Sequence, residues 1–179
     1  MEDTPTAFGA LLRSILHQQI SIFAGRAIVA RLVAACGGEI EPDRVLALTE
    51  AELRGIGLSG QKVRYVQALA AAAAEGLLQD IEGFPQEKIA ERLIQLPGIG
   101  IWTVQMFSLF HLQRPDIFSG GDLGLREGIR ILDELAAPPT QAEAERRAEI
   151  WSPYRSVAAV VLWDLVRRTR QAAPAAVGA

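Results

Sequence analysis

The stretch Leu96-Pro97-Gly98-Ile99-Gly100-Ile101-Trp102 decides how this chain is read. Residues 86–94 before it repeat their apolar positions at helical spacing, and the run after it stays strongly apolar to about Leu112, so the segment predicts a tight corner between two helices. Glycine at two of its positions permits positive φ and close approach of another backbone, while Ile99 is placed to be buried and pin the turn. Such a corner presents the free N–H groups of the next helix outward, an arrangement suited to a phosphate. Taken alone, a Gly-x-Gly between helices is more often a C-cap followed by a tight connection.

Outward from this corner the pattern is helical almost throughout. Apolar residues from Thr6 to Ala35 fall at helical spacing until Gly37-Gly38 stops them. A short helix is expected after Pro42-Asp43 and another at Thr49, whose Glu52 three residues on has capping-box spacing; a longer one follows Ser59. Beyond the corner, 115–121 reads as a loop, Asp122 opens a helix, 136–139 is a second loop, and 140–151 and 153–170 are the last helices. No alternating β-branched stretch competes, so the fold class is all-α with eight to ten short helices. Leu53-Arg-Gly-Ile-Gly-Leu58 echoes the Leu96 stretch, which points to two tight corners of similar build and not to a solenoid.

Composition sets the outer limits. The chain has 179 residues, 50% apolar and 22% charged, enough for one globular domain or two small lobes. A single cysteine, Cys36, excludes a disulfide framework and any four-cysteine zinc or iron–sulfur site. The longest uncharged runs, 157–163 and 68–74, fall far short of the roughly 20 apolar residues that span a bilayer, and no charged-then-apolar leader opens the chain. A soluble, intracellular protein is expected. The formal net charge of -3 argues, at face value, against a chain that lives on phosphate backbones.

The segment Phe118-Ser-Gly-Gly-Asp122-Leu-Gly-Leu-Arg126 changes that balance. Together with Leu96 to Gly100 about twenty residues earlier, it resembles the helix-hairpin-helix DNA glycosylases, whose hairpin is followed by a Gly/Pro-rich loop and one catalytic aspartate. Ile15-Leu-His-Gln-Gln-Ile-Ser21 looks like the family's first core helix running into its DNA-inserting turn, and Gly57-Leu-Ser-Gly-Gln-Lys62 like its middle turn. Trp151-Ser-Pro-Tyr-Arg-Ser156 with Trp163 is similar to the closing helix of the 3-methyladenine glycosylase II type. The likeness runs over nearly the whole chain in the right order. It implies a two-lobed helical fold with a cleft between the lobes, one lobe about 19–110 including a hairpin at 94–106, the other about 1–18 plus 111–170, and a flexible tail at 171–179.

What the resemblance implies for chemistry follows residue by residue. Members that also cleave the strand carry a lysine two positions after the hairpin's last glycine; here that position is Trp102, and the two lysines, Lys62 and Lys88, lie elsewhere. The implied activity is therefore monofunctional: hydrolysis of the N-glycosidic bond of an alkylated purine in double-stranded DNA, leaving an abasic site in base excision repair. Asp122 would stabilise positive charge on the sugar or handle a water, and the same residue is a natural N-cap for the helix at Leu123. A cationic alkylpurine suits electron-rich walls, for which Trp102 and Trp163 are the candidates, with Met106 and Leu123 at positions that are aromatic in the best-known member of that type. Gln19 matches the intercalating position and Gln18 stands beside it, though both equally suit the helix end; Gly98, Gly100 and Thr103 are the hairpin's contacts to DNA. His17 is expected to be a structural hydrogen-bonder, and Arg155 and Ser156 to act structurally near the site. The carbonyls of Ile94, Leu96 and Ile99 match those that hold a monovalent Na+ or K+ in related hairpins, with no other cofactor required and no iron–sulfur cluster. Arg167, Arg168 and Arg170 form a basic cluster suited to nonspecific phosphate attraction. A monomer working in the cytoplasm or nucleoid is the expected state. Competing readings are a noncatalytic DNA-binding module, a glycosylase for other damaged or deaminated bases, and an all-α interaction domain.

Overall fold

The computed structural model describes residues 6–172, so the expected flexible tail lies outside the described residues from position 173 on. Among the described residues every regular element is helical: α1 (Ala7–His17), α2 (Ile22–Ala35), α3 (Pro42–Leu46), α4 (Glu50–Gly55), α5 (Gly60–Ala74), α6 (Gln86–Leu93), α7 (Ile101–Phe110), α8 (Leu123–Leu132), α9 (Gln141–Ala148) and α10 (Arg155–Ala172). Short 310 turns at Ile81–Gly83 and Glu149–Trp151 complete the order. The chain divides into two compact units between Phe107 and Ser108.

In the first unit the periodic residues expected from Thr6 to Ala35 form two helices with a turn at 18–21. Thr6 caps α1 by accepting from the Gly9 N–H at 3.1 Å, and α1 buries Phe8, Leu11, Leu12, Ile15 and Leu16 on one face. Each such side chain contributes about 1.5–3 kcal/mol on burial. That face packs on α2 and α5, so residues 7–17, expected to group with 111–170, are here part of the first unit. α3 and α4 pack on α5 as well. Thr49 and Glu52 form the capping box that their spacing implied: the Thr49 N–H donates to Glu52 Oε2 at 2.7 Å, and Thr49 Oγ1 accepts from the Glu52 N–H at 3.2 Å.

The second unit is built from α8, α9 and α10 around Leu109, Ile117, Phe118, Leu125, Ile129, Ala144, Ala148, Ala159 and Leu162, with Trp151 and Trp163 partly buried against them. α8 and α10 make its main helix pair. The expected final helices differ in detail: the segment 140–151 changes from α9 to a 310 turn at Glu149, and α10 begins at Arg155.

The echo between the two Leu-x-Gly-Ile-Gly segments does not extend to geometry. In the earlier copy the left-handed residue is the second glycine, Gly57, at φ +109°; in the later copy it is the first, Gly98, at φ +86°. Gly55 ends a helix, whereas Gly98 is the corner itself.

Candidate functional site

The corner at 96–100 is determined by what packs under it. Ile99 is buried, as its position implied, and its N–H closes the turn on the Leu96 carbonyl at 3.1 Å. A Cβ at Gly98 would stand 2.2 Å from Cδ2 of Tyr65, so the ring of α5 occupies the space that only glycine leaves. Gly100 is different: its Cβ would meet open space, and its φ lies outside the left-handed region. The expectation that both glycines serve the turn therefore holds for Gly98, while at Gly100 the backbone is simply uncovered. The Gly100 carbonyl accepts from the Val104 N–H at 3.1 Å, which makes it the entry to α7.

Gln18, expected beside the DNA-inserting turn, donates from Nε2 to the Gly98 carbonyl at 2.9 Å and so ties the α1–α2 turn to the corner. Gln18 is also the C-cap of α1, its backbone N–H bonding to the Ile15 carbonyl at 3.3 Å, so the helix-end role open to it in the sequence is used. Gln19 is exposed and left-handed, at φ +57°. A cavity of about 350 Å³ is lined by Gln18, Gln19, Ser59, Lys62, Tyr65 and Gly98 among others, bringing the α1–α2 turn, the start of α5 and the corner into one place. Lys62 donates from Nζ to the Leu16 carbonyl at 2.7 Å, and burial pushes its pKa down. His17 is structural as expected: its Nδ1 lies 2.9 Å from the Arg13 carbonyl.

Along α7, Trp102 is 47% exposed, whereas Met106, one turn on, and Thr103 are buried.

In the second unit Asp122 is the N-cap of α8. Its Oδ1 accepts from the Leu125 N–H at 2.9 Å and from the Trp163 indole Nε1–H at 3.0 Å. The cap available to Asp122 in the sequence is thus real, and it is supplemented by an indole that fixes the carboxylate's orientation. Trp163 in turn stacks on Phe110, with ring centroids 5.7 Å apart and planes inclined by 21°. Trp163 therefore holds Asp122 as well as packing beside it, a link that no spacing predicts across 41 residues of chain. Leu123, next to the carboxylate, is 76% exposed.

The loop leading to Asp122 is anchored from α10. Arg155 grips Asp116 with two bonds, Nε to Oδ1 at 2.7 Å and Nη2 to Oδ2 at 2.9 Å, and Ser152 Oγ donates to Oδ2 at 3.1 Å. The guanidinium bond is the main cause that holds the Asp116 carboxyl down at about 2. Ser156 Oγ donates to the Arg114 carbonyl at 2.5 Å and accepts from the Ile117 N–H at 2.9 Å. Arg155 and Ser156 thus act as the structural residues expected near the site. Of the basic cluster, Arg167 and Arg168 both pair with Asp164, the latter at 2.5 Å, which offsets part of the cationic field. Tyr65, Phe110 and Asp116 were missed in the sequence; each matters through a partner distant along the chain.

The corner tied to the α1–α2 turn in the first unit, and the capped carboxylate held by an indole in the second, are the features that the resemblance to the helix-hairpin-helix DNA glycosylases singled out. The comparisons agree: the family described as "HhH-GPD superfamily base excision DNA repair protein" matches residues 12–153, and the chain belongs to that family. The DNA-3-methyladenine glycosylase 1 of Schizosaccharomyces pombe is 33% identical over 158 residues, spanning 86% of this chain and 69% of that protein. Other curated relatives are longer, so that the chain spans 58% of one and 32% of another. A DNA-3-methyladenine glycosidase structure from Bacillus halodurans superposes with a TM-score of 0.88 at 31% identity, covering 94% of this chain and 79% of that one. The S. pombe 3-methyladenine DNA glycosylase solved in complex with abasic DNA gives 0.80 at 32% identity, covering 89% and 80%. Among the described residues no helix is long and apolar enough to cross a membrane.

Proposed function

We propose that this chain is a monofunctional DNA glycosylase that flips alkylated purines of the 3-methyladenine and 7-methylguanine type from duplex DNA and hydrolyses the N-glycosidic bond, leaving an abasic site for base excision repair. The observation that carries the reading is the Asp122 carboxylate, held by two N–H donors at the start of α8 in a chain of this family. Breaking the bond develops positive charge on the deoxyribose, and a fixed carboxylate lowers the energy of that state. An alkylated purine is already cationic and leaves as a neutral base, so water completes the reaction at C1′ and releases one proton. No general acid is needed for such a leaving group. Trp102 stands where strand-cleaving relatives would place the attacking lysine, and its exposed ring offers the face that a cationic base prefers. Gln19 fills the gap that a flipped base leaves. A weakly bound monovalent cation would use the carbonyls of Ile94, Leu96 and Ile99; Leu96 O already accepts the Ile99 N–H, and a carbonyl retains a second lone pair. The enzyme works as a monomer on intracellular DNA and requires no iron–sulfur cluster, since its one cysteine cannot hold one.

The test is release of free bases from methylated duplex DNA, followed by alkali. The expected outcome is 3-methyladenine or 7-methylguanine in the supernatant, strand breaks only after alkali, and no adduct trapped by borohydride. A trapped protein–DNA adduct would replace this reading with a lyase, and absence of any released base would remove it.

A further inference from the structure

Lys62 occupies a position that its own helix disfavours. It lies in the first turn of α5, where a cation opposes the partial positive charge of the helix N-terminus, and burial further penalises the ammonium. Its Nζ reaches instead to the Leu16 carbonyl, in the last turn of α1, where a cation is favoured and the carbonyls lack helical partners. The residue is thus explained by α1, not by α5.

Two residues beyond Leu16 begins the connection 18–21. Gln19 there holds a left-handed conformation that disfavours a non-glycine residue and persists only where the surroundings dictate it. Three ties do so. Lys62 holds the preceding carbonyl, Gln18 reaches the Gly98 carbonyl, and the His17 ring fills the space over Gly25, where a Cβ would lie 2.2 Å from its Cδ2. Lys62 and both glutamines also line the same cavity. We propose that Lys62 is a positioning residue which, through the Leu16 carbonyl, sets the α1–α2 turn so that Gln19 enters the DNA stack.

The inference rests on the glycosylase reading for the role of the turn, so the test uses two readouts. One is single-turnover excision from methylated DNA at saturating protein. The other is the fluorescence of 2-aminopurine beside a tetrahydrofuran abasic analogue in a duplex, which reports insertion without catalysis. Losing a charge-assisted bond predicts that Lys62→Met slows excision about tenfold and reduces the fluorescence change on binding. The slope of binding against salt should remain that of the wild type, since no phosphate contact is removed. Lys62→Arg should restore most of the rate, and Lys88→Met, which removes the other lysine, an exposed one, should change nothing. In a Gln19→Ala background Lys62→Met should cost less than about twofold, because both act through one turn. The proposal falls if Lys62→Met behaves like Lys88→Met, if its full effect persists without Gln19, or if the salt slope drops by one contact. Lys62→Gln, smaller and neutral, repeats the test; if both neutral variants unfold, Lys62 serves the fold alone and the proposal falls. Wild-type protein that shows Lys62-dependent fluorescence but releases no base would overturn the glycosylase reading and leave this one standing. Release that is indifferent to Lys62 would do the reverse.

Discussion

Asp122 caps α8, and the proposed function gives it a second, catalytic task that a pair of substitutions can separate from the first. Its Oδ1 accepts from both the Leu125 N–H and the Trp163 indole N–H, and the side-chain carbonyl of asparagine offers an oxygen in the same place. Asp122→Asn therefore keeps the cap and the indole bond and loses only the charge, costing about 0.5 kcal/mol at the N-terminus of α8. Asp122→Ala loses both bonds, about 1 kcal/mol for the cap and about 1 kcal/mol for the indole. For a chain of this size these correspond to shifts in melting temperature of about 1–2 °C and about 4–8 °C. The catalytic effect runs the other way. A unit charge about 4 Å from the developing positive charge, at an effective dielectric of about 20, contributes about 4 kcal/mol. Both variants should then lose base release by roughly a thousandfold. Thermal melting followed by far-ultraviolet circular dichroism, beside single-turnover release of bases from methylated DNA, reads the two tasks independently. Asp122→Asn within about threefold of wild type would refute the catalytic assignment, and Asp122→Asn melting as low as Asp122→Ala would refute the account of the cap.

Gly98→Ala should destabilise the first unit by about 3 kcal/mol, combining the left-handed penalty with a Cβ that the Tyr65 ring already excludes, whereas Gly100→Ala should cost less than about 0.5 kcal/mol. Urea unfolding that finds the two equal would contradict the packing described for the corner. For Asp116 the folded value lies below the ordinary 3.8, so its contribution is complete above about pH 4 and is lost as pH falls through about 2. Allowing for the pair's partial exposure, that contribution is about 1 kcal/mol. The stability difference between wild type and Asp116→Asn should be constant near neutrality and shrink toward zero at the acid end; a difference unchanged at about pH 2 would remove the linkage.

How much of this was legible in the sequence depended on the range of the interaction. Helices, the Thr49–Glu52 capping box and the cap at Asp122 are local, and spacing of three or four residues suffices to read them. Membership of the family was equally readable, because corner, loop and aspartate stand in fixed order along the chain. The elements that determine the site's geometry are not local. Tyr65 under Gly98, Phe110 against Trp163, and Arg155 on Asp116 each join segments 30 or more residues apart, and no periodicity encodes them. The hidden asymmetry between Gly98 and Gly100 has the same origin, since it is Tyr65 and not the glycine pattern that decides which of them is irreplaceable.

The net charge of -3 looked adverse for a protein of DNA, and the pairing of its arginines explains why it is not decisive. Arg44, Arg130, Arg147, Arg155, Arg167 and Arg168 all lie on carboxylates of the same chain. Much of the cationic complement therefore fastens loops and helix ends. The polar side chains lining the cavity between the α1–α2 turn and the corner are mostly uncharged: the amides of Gln18, Gln19 and Gln61, the hydroxyl of Ser59, and the ammonium of Lys62, itself engaged with a carbonyl. Under the proposed function such a surface would meet DNA through oriented dipoles and shape, with little release of counterions. It follows that affinity should fall only gently with salt, and that, under the proposed function, discrimination between damaged and normal sites would arise after contact, when a base leaves the stack.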